Sequence, residues 1–186
     1  MALYLISSDC KIVTEVSSRI RKSNRQTWKM VERANEKKIL EGLDSNNEGY
    51  LGVREFEDKG RGVVALRKFK EGEFVVEYRG ELIDSQEVKF REMIYASANL
   101  SSSYLYFFEY QNQRMCIDAT FESGLCGRLV NHSRSNANLK PRLLTIRNSP
   151  RLVFFAKKDI EINEELLYDY GDRRKKILAR LPWLNE

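Results

Sequence analysis

The sequence predicts a mostly β, irregular domain with helices at its periphery. Three observations carry this. Short β-rich runs bounded by glycine follow one another from Tyr50 onward. Helical patterning is confined to the two ends and to one internal stretch, 85–98. Neither a repeat nor a low-complexity segment interrupts the pattern.

Residues 1–48 differ from the rest. Ser23-Asn24-Arg25-Gln26 fits a capping box, with Ser23 as the cap and Gln26 reaching back. Trp28, Val31, Ile39 and Leu40 then recur at roughly helical spacing among Lys and Arg. A basic amphipathic helix over about 24–41 is expected, with Gly42 as its stop. Asp44 to Gly49 is turn chemistry and marks a boundary.

Beyond it Leu51-Gly52-Val53-Arg54-Glu55-Phe56 alternates as a strand does. Gly62 to Leu66 and Glu73 to Tyr78 are further strands. Ser85 to Ala98 reads as a helix. Tyr104–Tyr110 and Arg114–Ala119 read as a hairpin around Gln111-Asn112-Gln113, and Arg142–Asn148 with Arg151–Ala156 as another around Ser149-Pro150. Arg173 to Leu181 is a short terminal helix followed by Pro182-Trp183-Leu184. The expected division is a helical extension (1–49), a β domain (50–172) and a closing helical segment (173–186).

A chain of 186 residues buries a sizeable core without staples. Its net charge of +5 favours acidic partners only weakly, because 27 acidic residues are interspersed among 32 basic ones. Cys10, Cys116 and Cys126 have no metal-ligand spacing, and an odd count fits a reducing compartment. No run approaches the roughly 18 apolar residues that span a membrane. Met1 to Ile6 is apolar but too short and uncharged for a signal peptide. An intracellular location is expected, with no membrane partner.

Four segments can carry chemistry. In Lys59-Gly60-Arg61-Gly62 two glycines admit a close approach of backbone, and the cations suit a carboxylate or phosphate; a tight turn with exposed basic residues is the plainer reading. Glu77-Tyr78-Arg79-Gly80-Glu81 ends a hydrophobic strand. Asn131-His132-Ser133 holds the only histidine, which rules out a multi-histidine metal centre. A Ser–His–Asp arrangement there is formally open, without a nucleophile-elbow sequence beside it. Tyr168-Asp169-Tyr170-Gly171 lies about thirty residues further on, so the last two segments meet only by folding.

Taken in order, Gly-Arg-Gly, Glu-Tyr-x-Gly-Glu, Asn-His-Ser and Tyr-Asp-Tyr-Gly resemble the signature of the SET-domain protein lysine methyltransferases. The resemblance covers about residues 50–186. It is nearest to the histone H4 lysine-20 monomethyltransferases, through Tyr104-x-Tyr106-x-Phe108, Gly127-Arg-Leu-x-Asn-His-Ser133, Leu166-Leu-Tyr-Asp-Tyr-Gly-Asp172 and Pro182-Trp183-Leu184. It implies several small sheets with a pseudoknot, an amino-terminal helix and a post-SET helix in place of a cysteine-rich zinc module.

The same resemblance implies S-adenosylmethionine as cofactor and a protein lysine as acceptor, entering from opposite faces. Lys59, Gly60 and Arg61 would hold the methionine end of the cofactor, and Asn131 and His132 would bind it through the pseudoknot loop. Ser103 is expected at the cofactor, where relatives usually carry cysteine, and Trp183 would cover the adenine. Tyr170 matches the catalytic tyrosine. Tyr78 joins it and, with Tyr104 and Tyr168, would line the lysine channel. Tyr168 falls where tyrosine accompanies mono- or dimethylation, so monomethylation is the expected product. No metal is expected.

The implied partners are the histone H4 tail and the nucleosome, in the nucleus, with a monomeric enzyme. Glu161, Glu164, Glu165, Asp169 and Asp172 form an acidic cluster suited to steering a basic tail, and Arg19 to Arg25 a basic segment suited to DNA; solvated charge explains either equally well. Arg79 and Asp58 depart from the relatives, which tend to carry histidine and glycine there. Three other readings stay open: a SET enzyme for a non-histone lysine, a catalytically silent chromatin-binding module, and a hydrolase using Ser133 and His132.

Overall fold

The computed structural model describes residues 5–6, 37, 39–43, 48–100, 104–171, 175, 179 and 182–185. Eleven strands are present among them: β1 (Leu5–Ile6), β2 (Leu51–Phe56), β3 (Gly60–Ala65), β4 (Phe74–Glu77), β5 (Glu81–Asp84), β6 (Leu105–Tyr110), β7 (Gln113–Asp118), β8 (Asn131–His132), β9 (Leu139–Ile146), β10 (Ser149–Ala156) and β11 (Leu167–Tyr168). Helix α1 spans Ser85–Ser97, and 3-10 turns span Gly127–Leu129 and Pro182–Asn185. The strands form four small sheets, ordered β1-β6-β7-β5, β4-β10-β9, β11-β8 and β2-β3. The mostly-β architecture expected from the sequence is the one observed.

Strand alternation explains how small sheets share one core. In β6, Leu105 and Phe107 turn toward α1, where Ile83, Val88, Tyr95 and Cys116 complete a buried layer. Tyr106 and Phe108 turn the other way into the central core with Val63, Val76, Leu152, Phe154 and Tyr168. β10 behaves alike: Leu152 and Phe154 face the centre, whereas Val153 and Phe155 face Leu43 and Ile39. The stretches 105–108 and 152–156 therefore read as continuous apolar runs. Each large side chain buried this way contributes about 1.5–3 kcal/mol.

Local chemistry sets the ends of the elements. Asp84 caps α1, its Oδ1 accepting from the Gln86 and Glu87 amides at 2.9 Å each. The β6–β7 turn is Gln111-Asn112 and the β9–β10 turn is Arg147-Asn148, all four at positive φ. The second turn therefore precedes Ser149-Pro150, and Pro150 lies within β10 opposite Thr145, before the stretch that pairs with β4.

The amino-terminal helix runs past its expected stop. Residues 37 and 39–43 are helical; the capping box, Trp28 and Val31 lie outside the described residues. Gly42 lies inside the helix, and a Cβ there would stand 2.7 Å from the Phe74 ring, which favours glycine at that place. Lys175 and Ala179 are helical, in keeping with the expected terminal helix, whose other residues are not described.

Gly127 is under a harder constraint, since a Cβ would stand 2.0 Å from the backbone oxygen of Glu77. Gly72, at φ +79, has open space around it. Gly127→Ala is expected to cost about 2–3 kcal/mol through backbone displacement, and Gly72→Ala only about 1 kcal/mol of conformational strain. Urea denaturation of both variants reads the difference, and equal midpoints would refute the packing account.

Candidate active site

The site is organised by a strand insertion. β11 runs parallel to β8, Leu167 opposite Asn131 and Tyr168 opposite His132. On its other side the same segment bonds β3: the Leu166 amide donates to Val63 O at 2.7 Å and the Ala65 amide to Glu164 O at 3.0 Å. Residues 164–168 thus lie between β3 and 131–138, the threading expected of the pseudoknot. Asn138, 1% exposed, pins the arrangement. Its Nδ2 donates to Glu165 O and Glu164 Oε1, and its Oδ1 accepts from the Leu167 amide.

This threading fixes the only histidine. His132 Nδ1 accepts from the Tyr170 amide at 3.0 Å, so the proton sits on Nε2, which faces Leu184 O at 3.1 Å. Both ring nitrogens hold backbone groups, and Ser133 Oγ accepts from the Asn136 amide. These geometries oppose a hydrolase built from Ser133 and His132. Asp169 is likewise a turn former, its Oδ1 accepting from the Gly171 amide at 2.9 Å, with Gly171 at φ +78.

The tyrosines converge. Tyr168 packs between Tyr170 and Phe154, each with its ring tilted and its centroid 4.6 Å away, and Tyr106 lies 6.4 Å off. Tyr78 packs 5.7 Å from Tyr106 and donates its hydroxyl to Tyr104 O at 2.8 Å. The Tyr170 hydroxyl donates to Val130 O at 3.1 Å, and its ring lies 4.9 Å from His132. The Tyr104 ring carries the guanidinium of Arg128 at 3.8 Å. Arg128 is itself buried, held by Ala119 O, Thr120 O and Glu122. Tyr106, Phe154 and Arg128 complete the cluster; Tyr106 and Arg128 stood in the motifs that carry the resemblance without a role at the site, and Phe154 was not singled out. Alternation in β6 was the available signal for Tyr106.

Burial dominates the electrostatics here. It pushes the Tyr78, Tyr168 and Tyr170 phenols well above their ordinary range, and the neighbouring tyrosines add to the effect. These hydroxyls therefore remain neutral, as hydrogen-bond groups and not as bases.

A polar arm adjoins the rings. Lys59 ends the β2–β3 turn and Gly60 opens β3 at φ +71. Lys59 Nζ lies 3.1 Å from Glu165 Oε2, and Asn131 Nδ2 donates to Glu165 Oε1 at 3.0 Å. A Cβ on Gly62 would stand 2.5 Å from Asn131 Nδ2, so that glycine makes room for the asparagine. Arg61 reaches a different carboxylate, Glu122, at 2.8 Å. Lys59, Asn131 and His132 are therefore brought together with Tyr168 and Tyr170. Arg61 is joined to the Tyr104 side through Glu122 and Arg128. Ser103 and the Trp183 side chain lie outside the described residues.

The acidic cluster is engaged inside the molecule. Glu161 pairs with Lys68, Glu164 with Lys158 and Asn138, and Glu165 with Lys59 and Asn131. Asp172 lies outside the described residues, as does the basic segment 19–25. Among the described residues no cluster of His, Cys, Asp and Glu could hold a metal ion.

A family model, the SET domain, matches residues 60–171, and the chain belongs to that family. It is 45% identical over 165 residues to N-lysine methyltransferase KMT5A-A of Xenopus laevis, covering 89% of this chain and 49% of that protein. The chain thus spans about half the length of the curated Xenopus relatives it matches. Among solved structures it is similar to CpSET8 from Cryptosporidium, with a TM-score of 0.61 and 42% identity over 67% of this chain and 58% of that one. It is also similar to ctPRC2 of Chaetomium thermophilum in an autoinhibited conformation bound to S-adenosylmethionine, with a TM-score of 0.56 and 34% identity over 72% of this chain and 16% of that one.

The raised phenols carry a linkage consequence. Folding favours their neutral form, and that stabilisation is complete below about pH 10 and lost as pH rises beyond it. In an alkaline titration followed by ultraviolet difference spectroscopy and circular dichroism, at least three of the nine tyrosines should ionise only as the fold is lost. Ionisation of all nine near pH 10 with the fold intact would contradict the burial account.

Proposed function

We propose that this chain transfers a methyl group from S-adenosylmethionine to a protein lysine, and that its main product is monomethylated lysine 20 of histone H4 in nucleosomes. The observation that carries this reading is the closed tyrosine cluster abutting an arm of amide and ammonium donors. The relatives named above support the same chemistry. The histone target, the nucleosome as its preferred form and a nuclear, chromatin-bound location follow the nearer resemblance to the H4 lysine-20 enzymes. So does the division into a helical extension (1–49), a SET domain (50–172) and a closing segment (173–186).

The donor set suits the methionine end of the cofactor, an α-amino acid whose carboxylate needs N–H donors. Lys59, Asn131 and the open backbone at Gly60 would hold that end, with Arg61 and His132 beside them. Ser103 and Trp183 are proposed at the cofactor on resemblance alone. Bound S-adenosylmethionine supplies an electrophilic methyl group on a good leaving sulfur, so the protein needs no nucleophilic side chain.

What the protein must do is present a neutral amine in line. A lysine with an ordinary pKa of about 10.4 is neutral in roughly one molecule per thousand at physiological pH. Tyr78, Tyr104, Tyr168 and Tyr170 would exclude water around the amine and so disfavour its charged form. Because burial keeps the Tyr170 phenol protonated, its hydroxyl would act as an orienting dipole and not as a base. The Tyr168 hydroxyl would hold a water that a second methyl must displace, which limits the product to one methyl.

The test is methyl transfer from labelled S-adenosylmethionine to nucleosomes, free histones and H4 tail peptides, read by mass spectrometry. A single methyl on lysine 20 of H4 is expected, reduced about a hundredfold in Tyr170→Phe. Tyr168→Phe should raise the dimethyl fraction, and an unchanged ratio counts against its role. Transfer to no histone would move the assignment to a non-histone lysine or to a binding module.

A further inference from the structure

Glu165 has no part in the reading above, yet it stands where the arm converges. Its side chain is 15% exposed, and its two oxygens divide their work: Oε1 accepts from Asn131 and Oε2 faces the Lys59 ammonium. The donors come from β8 and from the β2–β3 turn, 34 and 106 residues away in sequence. The Glu165 backbone is fixed from both sides, by a bridge to Val64 and by Asn138 Nδ2 on its carbonyl at 2.8 Å. The carboxylate is thus a rigid fork that holds a flexible lysine and an amide in one place.

We propose that Glu165 is a positioning residue that presets Lys59 and Asn131 for the methionine end of the cofactor. This rests on the cofactor reading given above. A four-carbon lysine stem loses rotamer freedom when it is immobilised on binding. Glu165 meets that cost during folding, before the cofactor arrives. In Glu165→Gln the side chain still accepts from Asn131 but no longer holds the ammonium.

The experiment is calorimetric titration of S-adenosylmethionine into the folded protein, with no methyl acceptor present. Glu165→Gln should raise Kd about five- to tenfold, and Glu165→Ala should raise it further. In a Lys59→Met background Glu165→Gln should add less than twofold. The KM for an H4 peptide should stay as in the parent protein, which a general loosening of the site would not allow. If Glu165→Ala fails to fold, the Gln variant and the double variant decide. Unchanged or tighter binding in Glu165→Gln overturns the proposal, because the carboxylate would then be idle or would compete with that of the cofactor. A parent protein that binds no S-adenosylmethionine overturns the cofactor reading beneath it instead.

Discussion

Everything distinctive about this molecule depends on one short strand being gripped on both sides. Residues 164–168 hydrogen-bond β3 on one flank and 131–138 on the other, and they carry Leu166 and Tyr168 into the core. Asn138 acts there as a substitute peptide group, donating to one carbonyl and accepting from one amide of the inserted strand. Burying a backbone segment between two partners requires every polar group to be matched. That requirement explains an asparagine that is almost completely enclosed.

The insertion also determines which residues meet. Once Leu167 lies opposite Asn131, Tyr168 lies opposite His132 and Tyr170 follows within reach of the imidazole. The neutral tautomer of His132 then joins the Tyr170 amide to the Pro182–Asn185 turn. A single register thus aligns the tyrosines, the donor arm and the closing segment. A slip of one residue would turn Tyr168 to the opposite face.

Much of this was legible in the sequence because its cues are local. Alternation in 51–56, the aromatic run of 104–110 and the turn at Gln111-Asn112 all act over a few residues, whereas the β9–β10 turn falls at Arg147-Asn148, ahead of the Ser149-Pro150 that marked it in the sequence. The motif tyrosines, Asn131 and His132 could be named from short runs. The roles of Glu165, Asn138 and Phe154 could not, because each matters through a partner distant in the chain, and Arg128 was only one letter of a motif until the fold laid it on the Tyr104 ring. Glu165 read as part of an exposed acidic cluster, whereas its partners turn it inward. The two-residue strands β8 and β11 have no periodicity to detect, and only tertiary pairing creates them. Gly42 looked like a helix stop because nothing nearby in sequence announces the Phe74 ring against it.

The aromatic residues of the candidate site are also the centre of the hydrophobic core: Tyr78, Tyr106, Phe154 and Tyr168 are each 3% exposed or less. Most binding sites sit on loops that can drift in sequence without endangering the scaffold. Here the scaffold and the candidate site are the same atoms. A change that opens the cluster removes core volume, at about 3–5 kcal/mol for a lost aromatic ring. That is a large share of the stability of a domain this size. The interior can therefore be retuned only by exchanges that keep the ring and alter its edge. Selectivity in such a molecule has to diversify elsewhere, on surfaces whose remodelling leaves the folded state intact.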